Sequence, residues 1–163
     1  MAAGSTYVPI ATQTLASAVA TVTFSSIPQT YTDLVLICIG FDTGGETNIP
    51  TQFNGDTATN YSGTYLIGNG TTSGSSRVSS TTFTPIGRIG GSSSNLGTTV
   101  AHFMNYSNTS TYKTIISRGS AGNALEWAGL WRSTSAITSM SFTAGGTSFG
   151  IGTTFTLYGI SAA

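Results

Sequence analysis

Charge is scarce in this chain. Charged side chains make up 6% of its 163 residues, against about a quarter in an average soluble domain. Lys113 is the single lysine; with four arginines it is balanced by five carboxylates, for a net charge of zero. So few scattered cations form no basic stripe, which argues against nucleic acid and against an anionic membrane surface as partners. Cysteine is equally rare. Cys38 stands alone in "LVLICIG", so there is no disulfide framework, and it reads as a small buried hydrophobe rather than a nucleophile. One cysteine and one histidine do not make a transition-metal site. No apolar run approaches the roughly 20 residues needed to cross a bilayer. The opening "MAAGSTYVPI" lacks the basic and apolar regions of a signal peptide. The strong helix formers Lys, Glu, Gln and Arg are nearly absent.

Ser and Thr are plentiful, 53 residues together, with 21 Gly. The surface is therefore polar but almost uncharged, and poorly protected against association, because net charge is what keeps small domains apart. A permanent place inside an assembly is the expectation. Thr, Val, Ile, Phe and Tyr favour strands, and period-two alternation recurs. Strands are predicted at 18–24, 31–41, 84–90, 98–106, 112–118, 125–131, 136–142 and 153–160, with weaker ones at 7–15, 49–53 and 64–67. Segments such as "DTGGETN", "GGSSSN", "RGSAGN" and "TAGGTSFG" supply the turns. The predicted fold is all-β, an antiparallel two-sheet β-sandwich of jelly-roll type. Residues 1–16 read as an N-terminal arm or edge strand and 17–163 as one sandwich domain. "GNGTTSGSSRVSSTT" (68–82) reads as a flexible loop, or as an arm that orders against a neighbouring subunit through Arg77 and Val78. "STSAITS" (133–139) allows one helical turn capped by Ser133. The runs 31–41 and 153–160 are apolar on both faces and are predicted as central, covered strands.

Titratable groups are too few for an obvious active site. His102 has no nucleophile-elbow serine near it and reads as a structural or interface residue. Paired carboxylates for glycoside hydrolysis would have to come from Asp33, Asp42, Glu46, Asp56 and Glu126. Asp33 reads as closing the "PQTYTD" turn, and Glu126 as a partner of Arg118 or Arg132. Calcium would need Asp42 with Glu46, or Asn54 with Asp56, and both stretches are also ordinary turn chemistry. No cofactor, metal or catalytic residue is assigned, and the chain reads as a non-enzyme. Aromatic residues say more. Trp127 and Trp131 lie four apart in "EWAGLW", as do Tyr61 and Tyr65, so on strands each pair shares a face. Three readings stand: core packing, stacking platforms for a glycan, or subunit-interface anchors in which Arg77 and Arg132 join them.

"FSSIPQTYTDLVL" (24–36), "FNGDTATNYS" (53–62), "YKT" (112–114), "GLWRSTSAITSM" (129–140) and "GTTFTLYGI" (152–160) occur in that order. The set resembles a family of small virion structural proteins of tailed bacteriophages, many from marine phages and cyanophages. The resemblance implies an all-β virion protein, most simply a capsid decoration (cement) protein on the capsid surface, in contact with the major capsid protein or other virion proteins. It implies a homo-oligomer, with trimers suiting three-fold positions of a shell. The alternative is a receptor- or carbohydrate-binding module of a head or tail fibre. This chain has less charge than that family leads one to expect, and it ends on "SAA" rather than on a basic residue.

Overall fold

Alternation of apolar and polar side chains turns into twelve strands. A computed structural model describes residues 6–161. In chain order the strands are β1 (Tyr7–Thr14), β2 (Thr21–Phe24), β3 (Asp33–Gly40), β4 (Thr47–Phe53), β5 (Tyr61–Gly68), β6 (Ser73–Thr81), β7 (Thr84–Ile89), β8 (Gly97–Met104), β9 (Lys113–Ser120), β10 (Ala124–Trp131), β11 (Met140–Thr143) and β12 (Thr154–Ile160). All pairings between them are antiparallel, in two sheets: β1-β12-β3-β8-β9-β10-β5-β6, and β2-β11-β4-β7. The predicted all-β antiparallel sandwich is the observed class. Its division is eight strands against four, which does not by itself make a jelly roll of two Greek keys.

Between the sheets lies one core, with Leu34, Leu36, Phe53, Ile86, Phe103, Ile115, Phe142, Phe155 and Leu157 all buried. Strand β7 is the closest point of contact. Cα atoms of β7 come within 8 Å of those of β8, β9 and β10, against about 10 Å between ordinary stacked sheets. Glycine permits this. A Cβ on Gly129 would stand 2.7 Å from Thr84 Oγ1, and one on Gly119 would stand 2.9 Å from the Arg88 nitrogen. Gly87 adds a φ of +134° where a Cβ would meet Thr99 Oγ1 at 2.5 Å, so both its conformation and its space require glycine. Hydrogen bonds fill the gap: Thr99 Oγ1 donates to the Arg88 carbonyl (2.7 Å) and Trp127 Nε1 to Thr84 Oγ1 (3.0 Å).

The predicted central strands hold their places. β3 lies between β12 and β8, and β12 between β1 and β3. Phe155, Leu157 and Gly159 turn inward and are buried; the second face, with Tyr158 and Ile160, is half-buried. On β3 the second face is only partly covered, and Ile39 is exposed. Residues 7–14 take the edge-strand form of the two predicted for 1–16, pairing with β12; residues 1–5 lie outside the described range.

Two expectations are corrected. The flexible loop predicted at 68–82 is a hairpin, because its ends are tied locally. Asn69 Oδ1 accepts the N–H groups of Thr71 (3.0 Å) and Thr72 (2.7 Å), and Asn69 N–H donates to the Thr72 carbonyl. That Asx turn, with Gly70 at φ +90°, sends residues 73–81 back along β5 as β6. The helical turn allowed at 133–139 is absent. The Ser135 N–H reaches back to Ser133 Oγ, but the later N–H groups go to other segments: Ile137 donates to the Tyr106 carbonyl, and Thr138 and Ser139 to Asn54 Oδ1.

Two stability predictions follow from this packing. Gly129→Ala forces β7 away from β10 and is expected to lower the unfolding free energy by about 1–3 kcal/mol in urea titration; an unchanged midpoint would show that the sheets separate freely. A chain ending at Gly150 lacks β12. It thereby uncovers β3 and removes Phe155, which packs on Phe142 and Phe149. It is expected to lose cooperative unfolding, read by far-UV circular dichroism against urea.

Candidate functional site

The four aromatic residues singled out by their spacing do come together, as a ladder. β5 and β10 are antiparallel, with Trp127 opposite Tyr65 and Trp131 opposite Tyr61, so equal spacing on the two strands makes two rungs. Tyr65 stacks on Trp127 at 5.3 Å between centroids and 11° between planes, and Tyr61 on Trp131 at 6.3 Å and 17°. These rings face inward. Trp127, Trp131 and Tyr61 are buried and Tyr65 is half-buried, so an open stacking platform for a sugar is not what they form. Phe53 joins the second rung, 5.4 Å from Trp131.

The polar ends of the second rung, Trp131 and Tyr61, are held by one turn. Trp131 Nε1 donates to Asp56 Oδ2 (2.7 Å), Asn60 Nδ2 donates to the same oxygen (2.9 Å), and the Ala58 N–H donates to Oδ1 (2.9 Å). Tyr61 Oη donates to the Asp56 carbonyl and accepts the Phe53 N–H. Burial pushes the Tyr61 phenol up to about 12. Burial also pulls the Asp56 carboxyl upward, but the bonds from Asn60, Trp131 and Ala58 together outweigh it and leave the group below its ordinary value. Lys113 lies opposite Trp131 on β9. Its ammonium donates to the Thr111 (2.7 Å) and Thr134 (3.2 Å) carbonyls, and burial lowers its pKa. Arg132 donates from Nη2 to the Thr59 carbonyl (2.6 Å), closing the same end. Arg77 does not join this group; it is exposed on β6, opposite Thr64.

Asp42, Glu46, Asp33 and His102 are engaged in structure. Asp42 is buried, and its carboxylate accepts N–H bonds from Gly44, Gly146 and Thr147 (2.7, 3.0 and 2.8 Å), tying two turns together. Glu46 pairs with Arg88 at 2.8 Å and accepts from Asn123 Nδ2. Among the described residues no three His, Cys, Asp or Glu side chains gather around one point. Burial pushes the Cys38 thiol far up. Asp33 does not close its own turn. It reaches across to accept from the Asn105 N–H (2.7 Å) and lies 3.1 Å from His102 Nε2.

The surface that sequence reasoning did not find is the outer face of the eight-stranded sheet. Residues directly opposite in an antiparallel sheet share a face. The register sets Ile37, Val100, Arg118, Glu126, Leu66 and Ser75 in one row across six strands. Beside it run Val35, His102, Ile116, Ala128, Thr64 and Arg77. Ile116 is 53% exposed and Leu66 60% exposed. The face curves into a hollow of about 960 Å³, bounded by Leu66, Ser75, Val100, Arg118 and Glu126. A second of about 290 Å³, against Tyr7, Val35, His102 and Ile116, shares Val100, Arg118 and Glu126 with it. Among the described residues the ion pairs are Arg88–Glu46 and His102–Asp33, so Arg118 and Glu126 stand opposite each other without pairing. The signal for this face was the second apolar register of "LVLICIG" and of "TIIS"; which register lacks a cover is a property of the other sheet.

No family model matches this chain, and no curated protein matches it. Among solved structures, a protein of unknown function from Shewanella oneidensis MR-1 aligns over 96% of this chain and 79% of that one, with 12% identity and a TM-score of 0.24. A likeness at that level carries no argument about fold or function. No helix among the described residues is long and apolar enough to cross a membrane.

The Asp56 turn gives a pH prediction. A carboxyl whose folded pKa is depressed stabilises the fold above its unfolded value, about 3.9, and loses that contribution as pH falls through the folded one. The urea midpoint of the native chain is expected to fall below about pH 4 more steeply than that of Asp56→Asn. Parallel acid limbs would show that the bonds from Trp131 and Asn60 do not favour the ionised form.

Proposed function

We propose that this chain is a non-enzymatic structural component of a tailed-bacteriophage virion, a decoration protein that docks on the capsid surface through the outer face of its eight-stranded sheet. The observation that carries the docking part is that face. It is a concave apolar surface with Ile39, Ile116 and Leu66 exposed and one unpaired charge of each sign at its centre. Large apolar side chains left exposed on one sheet face, rimmed by polar residues, suit a protein interaction site. The virion part rests on the ordered motifs from "FSSIPQTYTDLVL" to "GTTFTLYGI" and on the uncharged surface. A capsid partner suits the charge pattern, since Arg118 and Glu126 can each take an opposite charge on a flat protein surface while the isoleucines and leucine exclude water. The inward turn of the tryptophans removes the platform on which the carbohydrate-binding alternative depended.

The protein is expected in purified particles at a stoichiometry matching capsid subunits, and particles lacking it should lose their DNA at lower temperature. Ile116→Lys and Leu66→Asp, both on exposed positions and thus compatible with folding, should abolish binding to stripped particles. Full occupancy by both variants would reject this face as the docking surface. Absence from particles would reject the virion role.

A further inference from the structure

The four sheet edges are not equally protected. Exposed edges template pairing with other chains, and stable monomers blunt them with prolines, bulges, charges or very short strands. β7 is buried along most of its length, and β2 is four residues long. β1 carries Pro9 and a register shift between Pro9 and Ala11. Along its regular part β6 has none of these except a single charge, Arg77. It is nine residues long, almost wholly exposed, without proline or lysine, and its register shift lies at its base, where Ser80 takes a φ of +55°. The regular stretch thus runs from the Asx turn to that bulge, residues 73–79. Every second residue there turns its N–H and C=O away from β5.

We propose that β6 pairs antiparallel with β6 of a second copy about a two-fold axis at Ser76, joining two eight-stranded sheets into one. Such pairing is self-complementary, needing only the same edge on both partners, and a chain of zero net charge offers little repulsion against it. The register follows from the strand. Ser76 is the centre of 73–79, so a two-fold there uses the whole regular edge. It also sets Arg77 opposite Ser75 and Val78 opposite Gly74, whereas an axis at Arg77 would face two guanidinium groups directly, which is unfavourable. The pairing extends the outer face across both copies. It does not depend on the virion reading, since any neutral chain with this edge would do the same.

Sedimentation of the native protein at tens of micromolar, a range set by typical homodimer affinities, is expected to show a dimer or an assembly of dimers. Ser76→Cys should cross-link to its own counterpart under mild oxidation, while Ser73→Cys, opposite Ser79, should not; buried Cys38 contributes no background. Ser76→Lys should give a monomer with unchanged circular dichroism and cooperative urea unfolding. The proposal is overturned by a monomeric native protein. It is equally overturned by an oligomer in which Ser76→Cys links no better than Ser73→Cys or which Ser76→Lys leaves intact. Ile116→Lys, which tests the capsid-docking face, should leave the dimer as it is, so the two readings fail separately.

Discussion

The close approach of β7 to β8, β9 and β10 is the constraint on which the other packing depends. Two sheets with side chains on both inner faces stand about 10 Å apart. Here one strand of the smaller sheet sinks toward the larger because Gly119 and Gly129 present no side chain beneath it and Gly87 presents none above. Two of the polar groups that this brings into a dry space are matched, the indole of Trp127 on Thr84 and the hydroxyl of Thr99 on the Arg88 carbonyl, while Arg88 Nε and Ser117 Oγ are left without a partner. A buried unmatched donor would cost roughly 1–3 kcal/mol, so the threonines are as necessary as the glycines. Moving β7 outward would break these bonds and open the layer between it and β8–β10 at the same time.

Strand β7 also decides what lies free. A four-stranded sheet drawn close over the middle of an eight-stranded one leaves the β5–β6 hairpin reaching past its cover. Trp127 sits where cover ends, with Gly63 beneath its ring and Tyr65 stacked on it. Trp131 and Tyr61 lie one rung further in, wholly enclosed and bonded to the Asp56 turn. The ladder therefore anchors β5 to β10, and β6 is carried out from it as an extension with both faces exposed. An isolated hairpin is marginal in water; this one is stable because its inner strand is bolted to the core by two aromatic pairs.

Much of this was legible in the chain. Alternation located eleven of the strands, and the doubly apolar runs at 31–41 and 153–160 correctly named two interior strands. Spacing of four marked Trp127, Trp131, Tyr61 and Tyr65 as two pairs on shared faces. It could not say that the pairs face each other, because register between strands far apart in sequence is set by the turns and the packing, not by either strand alone. β6 was hidden for a different reason. Its serines and glycines carry no strand propensity, and what makes it a strand is a single asparagine, Asn69, that folds the turn and hands residues 73–81 to an already formed partner. The outer face was hidden because burial belongs to the pair of sheets: "TIIS" offers Ile115 and Ile116 equally, and only the position of β7 makes the first core and the second surface.

The near absence of charge and the unequal sheets bear on the same question. A sandwich buries only the inner face of each sheet, and outer faces made wholly of serine and threonine would leave a bland surface. This chain keeps an uncovered sheet face, with Arg118 and Glu126 as its central charges, and a long edge with Arg77 as its single charge. Elsewhere the charged side chains serve internal bonds: Asp42 and Asp56 tie turns, Lys113 holds two carbonyls, Glu46 holds Arg88, Asp33 holds His102 and Arg132 holds Thr59. Charges that stabilise the fold are thus separated from charges free to meet a partner. The free ones lie together on one side of the molecule, along the outer face of β9, β10 and β6. The docking role proposed for this chain needs little more than this: a rigid support, an apolar face to exclude water, and a few charges placed where register, and not mere attraction, has to be specified.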